Sequence, residues 1–356
     1  MTQIPAQKSG WPVVGNERTV AMLRNALRSG NLPHAYLFVG PEGVGKRTMA
    51  LAFAMSLNCQ AEPPSGQEHP DVPCGICPSC SKILRGVHPD LMEVNLQKQA
   101  QMAGDGRSKS GPAKELKIDI IRDMQSTVGL SPHSARYKIY VIGDADRMNE
   151  EASNCLLKTL EEPPPNTMLF LLASDESAVL PTISSRCFIV PVRTVPTPVV
   201  AQALEDYWGA EREQAQVLAT LSGGRLGSAV GLLEDRESLN RRKRALEELS
   251  LLAGAPLSDR VNVATRLARM FTDARPELYE MLSTWEGWWR DVMVTSSSAA
   301  DLAVNIDQLA ALRSVASKQG TARAARAVAL IQETRKQLQE NVNPRLALEA
   351  LAIGLP

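Results

Sequence analysis

Residues 40–48 read GPEGVGKRT and nearly complete the phosphate-binding pattern GxxxxGK[ST]. In such a loop the glycines let backbone N–H groups close around phosphate oxygens. The lysine neutralises the terminal phosphates, and the hydroxyl after it helps to hold magnesium. Gly40, Gly43, Gly45 and Lys46 meet the first two requirements, but Arg47 stands where the hydroxyl belongs. Thr48 arrives one residue late, which on a helix turns its side chain by about 100°. The expected ligand is ATP or ADP, held by Gly40, Gly43, Gly45, Lys46 and Thr48 without efficient hydrolysis.

The partner of such a loop is an acidic residue at the end of an apolar strand. Here KIYVI (138–142) runs into Gly143-Asp-Ala-Asp146. Gly143 occupies the position of the metal-binding aspartate and has no side chain to offer. Asp144 stands in the place of a glutamate, one methylene short. Both losses fall on the same ion, which argues for binding without efficient hydrolysis.

A second chemistry lies in Cys59-x14-Cys74-x2-Cys77-x2-Cys80, interspersed with Pro and Gly. Four thiolates at this spacing suit a tetrahedral Zn2+, and a full four-cysteine shell leaves no open position, which marks a structural site. His69 lies between the ligands, so a set of three cysteines and one histidine is the alternative. Cys155 and Cys187 lack such partners and read as small buried apolar residues. Downstream, LPTISSRC (180–187) presents Arg186, a permanently charged fork able to reach a neighbouring subunit's γ-phosphate.

The elements that must position these groups are legible around them. Val20, Leu23, Ala26 and Leu27 give a helix that stops at Gly30. Ala35–Val39 is a short apolar strand leading into the glycine loop and then a helix over 49–57. Residues 97–117, polar and rich in Lys and Gly, read as a mobile loop before a helix that begins near Ile118. Strand 138–142, a helix capped by Asn149 and ended by Pro163 to Pro165, and strand 168–173 complete the alternation. Strands separated by helices predict a mostly parallel sheet covered on both faces. Val195-Pro-Thr-Pro198 reads as a linker and the remainder of the chain as helical. Trp285, Trp288 and Trp289 share one helical face and read as core packing rather than a stacking platform for bases.

Composition sets the frame. The chain has 356 residues, 44% hydrophobic and 22% charged, with 39 Lys plus Arg against 39 Asp plus Glu. That length calls for two or three domains, and the balance leaves no net field to draw the chain onto nucleic acid. Direct DNA reading by the cysteine module is disfavoured for the same reason, and because no interleaved basic and aromatic motif is present. The N-terminus MTQIPAQKSG has no apolar core, and no run approaches eighteen apolar residues, so a cytoplasmic, non-membrane protein is expected.

PHAYLFVGPEGVGKRTMALAFAMSLNC, CGICPSC, KIYVIGDADRMNEEASNCLLKTLEEPP, LPTISSRC and QENVNPRLALEALAIGLP together resemble the bacterial clamp-loader AAA+ subunits of DNA polymerase III, and among them the delta-prime family most. The resemblance is specific over the first 190 residues and looser after about 235. It implies an α/β P-loop AAA+ domain over 1–194 with the zinc module at 59–80 inserted. A small helical lid over 195–235 and an all-α collar over 236–356 would follow. It implies a place beside gamma/tau and delta subunits in a hetero-pentameric ring that loads the β sliding clamp on primed DNA. The ring is part of a polymerase holoenzyme, a nucleotidyltransferase complex. Within it Arg186 would serve the adjacent subunit's ATP site. The family's ATPases also carry a lid arginine near GSxRDA, and Gly227 falls there, with Arg225 the alternative in a shifted register. The competing reading is an active gamma/tau-like ATPase.

Overall fold

The structure is a computed structural model and describes residues 10–102, 115–340 and 342–356. It divides into two compact units, 1–209 with 224–228, and 210–223 with 229–356. In the first, α1 (Glu17–Ser29) precedes β1 (Ala35–Val39) and α2 (Lys46–Leu57). Next come α3 (Pro78–Leu84), β2 (Leu91–Val94), α4 (Leu96–Met102), α5 (Ile118–Val128), β3 (Lys138–Ile142), α6 (Glu150–Glu161), β4 (Thr167–Ala173), α7 (Pro181–Ser184), β5 (Phe188–Pro191) and α8 (Thr197–Trp208). The sheet order is β2-β3-β4-β1-β5, parallel throughout. Both faces are covered, one by a cluster built on α2 and α1, the other by one built on α5 and α6. β4 is accordingly buried at every position and reads as an unbroken apolar run.

Capping follows the sequence. Gly30 ends α1 in the left-handed conformation, and the Asn149 side chain accepts from the Ala152 N–H to start α6. Residues 96–102 are helical rather than loop, and Leu116 pairs with Met148, so the polar segment 97–117 is anchored at both ends. Its middle, 103–114, lies outside the described residues. The stretch around Val195 is no free linker either. Val195 is buried, and its N–H donates to the Gly224 carbonyl at 2.8 Å.

The second unit is helical: α9 (Arg212–Leu221), most of α10 (Leu226–Glu234), α11 (Arg236–Leu252), α12 (Leu257–Asp273), α13 (Arg275–Ser296), α14 (Leu309–Gln339, broken at Gly320) and α15 (Pro344–Gly354). α13 lies along α14, and α12 along α15. Trp285 and Trp289 are buried and Trp288 packs against the same cluster, which is the core role expected of them. The Trp285 indole N–H donates to the Ala245 carbonyl at 2.7 Å. Among the described residues no helix is long and apolar enough to cross a membrane.

Candidate functional site

The glycine loop lies between β1 and α2, and its shape depends on close backbone approach. Gly43 has φ +79°, and a Cβ there would fall 2.0 Å from the Ser228 Oγ. A Cβ on Gly40 would meet the Val192 carbonyl oxygen at 2.0 Å. Lys46 turns back over the loop, its Nζ donating to the carbonyls of Gly40 and Pro41, the second at 3.0 Å. Burial lowers the lysine pKa, opposed by the pull of Asp146, Glu42 and Asp144. Thr48 sits half-buried in the first turn of α2.

The metal side is rebuilt. Arg47 makes a fork to both carboxylate oxygens of Glu93 on β2, at 2.6 Å each. Gly143 donates its N–H to Val94, and a Cβ there would stand 3.1 Å from the Asn95 Cβ. Asp144 is in the left-handed conformation and its carboxylate accepts from the Leu96 N–H at 3.1 Å. Asp146 likewise accepts from the Ser174 N–H at 3.1 Å. The carboxylate that stands in the place of a glutamate is thus bonded to the start of α4. Glu93 carries no signal in the sequence, because its pairing with Arg47 arises only when β2 is laid beside β3.

Residues 224–228 close over the loop within the same unit. The Gly227 N–H donates to the Gly43 carbonyl at 2.8 Å, which satisfies one of the orphan donors in the first turn of α10. A Cβ on Gly227 would lie 2.8 Å from that oxygen. Any side chain at 227, a lid arginine included, would therefore displace this contact.

The Sγ atoms of Cys59, Cys74, Cys77 and Cys80 all lie within 4.8 Å of one another, a set that could hold a metal ion. A tetrahedral zinc with bonds of about 2.3 Å needs sulfurs about 3.8 Å apart, and Cys74 and Cys80 stand at 4.0 Å. Backbone N–H groups of Ala61, Cys77 and Cys80 donate to Cys59, Cys74 and Cys77, at 3.3 to 3.5 Å, as suits thiolates. The hydrogen bond with Cys80 holds the Cys59 thiol at about 4, while the same contact and burial push Cys80 up. His69 is not part of the set. It is fully buried and its ring nitrogens face Arg136 at 3.2 Å and the Tyr137 hydroxyl at 3.5 Å. The four cysteines pack in the cluster that contains α2, so the module buttresses the helix that starts at the glycine loop. Ser79 continues the brace. Its hydroxyl is 3.1 Å from His88, which accepts from the Asp90 N–H, and the buried Asp90 carboxylate receives the N–H groups of His133, Ser134 and Ala135.

Arg186 lies just after α7. Its Nη2 is 2.9 Å from the Glu161 carboxylate, Nη1 donates to the Thr182 carbonyl at 2.9 Å, and 38% of the side chain is exposed. Of the remaining cysteines, Cys155 lies against Gln125, and burial pushes the Cys187 thiol up to about 12.

A parallel sheet of order 5-1-4-3-2 with a glycine loop between β1 and α2 defines a P-loop domain of the AAA+ class. The chain belongs to the DNA polymerase III delta subunit family, a clamp-loader subunit family, which matches residues 15–196, with the family's C-terminal region matching 236–355. It is 32% identical over 249 residues to the tau subunit of DNA polymerase III from Bacillus subtilis (strain 168), covering 68% of this chain and 40% of that protein. With the tau subunit from Escherichia coli (strain K12) it shares 31% over 227 residues, 62% of this chain and 32% of that one. The chain thus spans 40% or less of the length of these relatives. A DNA polymerase III gamma subunit-related protein from Thermotoga maritima overlays with a TM-score of 0.47 at 16% identity, covering 94% of this chain and 97% of that one.

Proposed function

We propose that the chain is a delta-prime-type clamp-loader subunit that does not itself hydrolyse ATP and donates Arg186 to the ATP site of an adjoining gamma/tau subunit. Its partners in this reading are gamma/tau and delta subunits in a pentameric ring, the β sliding clamp and primed DNA, in the cytoplasm, with Zn2+ on the four cysteines as a structural ion. The observation that supports it best is the rebuilt metal side of the loop, with Arg47 bound to Glu93 and glycine at 143. Hydrolysis depends on an ion that holds the terminal phosphates, and these residues remove two of its ligands. Arg186, exposed and already oriented by Glu161 and Thr182, retains N–H groups free to meet a phosphate.

The test is steady-state ATPase of the purified chain, alone and in a loader reconstituted with gamma/tau and delta. The chain alone should be nearly inactive. An arginine finger contributes about 10³-fold or more to kcat at the site it serves, so Arg186→Ala should suppress DNA-stimulated turnover of the complex. The second reading, an active tau-like subunit, is favoured by the retained Lys46 and by the tau relatives. Robust turnover by the isolated chain, abolished by Lys46→Ala, would establish it and end the first.

A further inference from the structure

The loop has kept one half of a nucleotide site and exchanged the other for an internal ion pair. On the retained half, Lys46 is bonded to the carbonyls of Gly40 and Pro41, and Gly43 and Gly45 hold the positive φ, +79° and +103°, that lets successive backbone N–H groups turn toward one anion. On the exchanged half, Arg47 and Glu93 tie the start of α2 to β2 through two 2.6 Å bonds. The neighbouring carboxylates are committed as well, Asp144 to the Leu96 N–H and Asp146 to that of Ser174. Among the described residues, the one group of three or more His, Cys, Asp or Glu side chains close enough together to hold a metal ion is the four cysteines.

We propose that this loop binds a nucleoside diphosphate without a divalent cation. The cation beside a P-loop ordinarily stands between the terminal phosphate and the acidic strand end. With Arg47 neutralised by Glu93, Lys46 is left as the loop's own positive charge, and it already lies in the field of Asp146, Glu42 and Asp144. A β-phosphate is met by the loop N–H groups and Lys46. A γ-phosphate would add negative charge facing those carboxylates with no ion between, so the diphosphate is preferred over the triphosphate. The inference rests on the non-hydrolysing reading above, yet the two fail separately: the Arg186 experiment reads a partner's turnover, and this one reads binding by the chain alone.

The experiment is calorimetric titration of the full chain with ADP, in buffer without added magnesium and again with millimolar MgCl2. Omitting magnesium, rather than adding a chelator, leaves any metal on the cysteines in place. The dissociation constant for ADP should differ by less than about threefold between the two buffers, and ATP without magnesium should bind at least about fivefold more weakly than ADP. Inorganic pyrophosphate should compete with ADP, which assigns the binding to the phosphate cradle without any substitution. Glu93→Gln, a half-buried surface change, frees Arg47 and should tighten ADP by about threefold or more. The proposal is overturned by a larger gain on adding magnesium, by no measurable ADP binding in either buffer, by ATP binding as tightly as ADP without magnesium, by no competition from pyrophosphate, or by no tightening in Glu93→Gln.

Discussion

Two glycines in α10 should respond to the same methyl group with opposite signs. Gly231 is in the helix interior and a Cβ there meets nothing within 4 Å, so Gly231→Ala should stabilise by about 0.8–1 kcal/mol, the ordinary helix propensity difference. Gly227→Ala adds its Cβ at 2.8 Å from the Gly43 carbonyl oxygen, a backbone atom that cannot swing aside. Relief requires the 224–228 segment or the loop to shift, breaking the 2.8 Å hydrogen bond from the Gly227 N–H. Losing that bond costs about 1 kcal/mol and the overlap another ~1–3, offset by at most ~1 from propensity, for a net loss of about 1–3 kcal/mol. The two variants should therefore differ by about 2–4 kcal/mol, several degrees in Tm for units of this size. The assay is thermal unfolding followed by circular dichroism. The Gly227 loss belongs to the transition of the unit that holds the loop, and the Gly231 gain to the helical one. Should the units melt together, both changes register on one transition. Gly227→Arg carries the same Cβ and the same cost. Equal stability of Gly227→Ala and Gly231→Ala would refute the argument that the loop is closed by residues 224–228.

Metal analysis after reducing purification should find about one zinc per chain, because a closed four-thiolate shell contributes on the order of 10 kcal/mol to local folding. Cys77→Ser should lose the ion and loosen α2, read as faster amide exchange in that helix; a metal-free, equally protected wild type would count against the site. Stability should also fall on the acid side. Burial lowers the pKa of both His69 and His88, so the unfolded chain binds protons that the folded chain does not. Their contribution is complete above the unfolded value of about 6.5 and is lost as pH falls below it toward each ring's lowered folded value, at no more than about 1.4 kcal/mol per pH unit for each ring. Urea unfolding at a series of pH values should show stability falling as pH drops below about 6.5, and falling less steeply in His69→Gln. A stability that stays flat across that window would remove the two rings from the account.

Much of the fold was readable because apolar periodicity is set locally. β1, β3 after Lys138 and β4 after Thr167 are apolar runs since a parallel strand is buried on both faces, and the helices before β1 and between β3 and β4 carry their own stops at Gly30 and after Glu161. β2 and β5 escaped because each has four residues, one with Glu93 and the other ending in Pro191, too short and too mixed to show a period. Residues 96–102 looked like loop because the helix they form buries none of its side chains. The four cysteines were legible from spacing alone, since neighbouring thiolates on a short loop and helix can reach one ion, and the same spacing left His69 open.

What residue types alone determined is the chemistry available: a lysine without its hydroxyl partner, glycine where a metal-binding carboxylate belongs, four thiolates and an exposed arginine. Partnership was decided by the tertiary structure. Arg47 met Glu93 across 46 positions of chain, Arg186 met Glu161, His69 went to Arg136 and Tyr137, and Gly227 came to rest on Gly43. These contacts join residues far apart in sequence, and no periodicity encodes them. They follow from strand order and backbone approach, which only the packed sheet imposes.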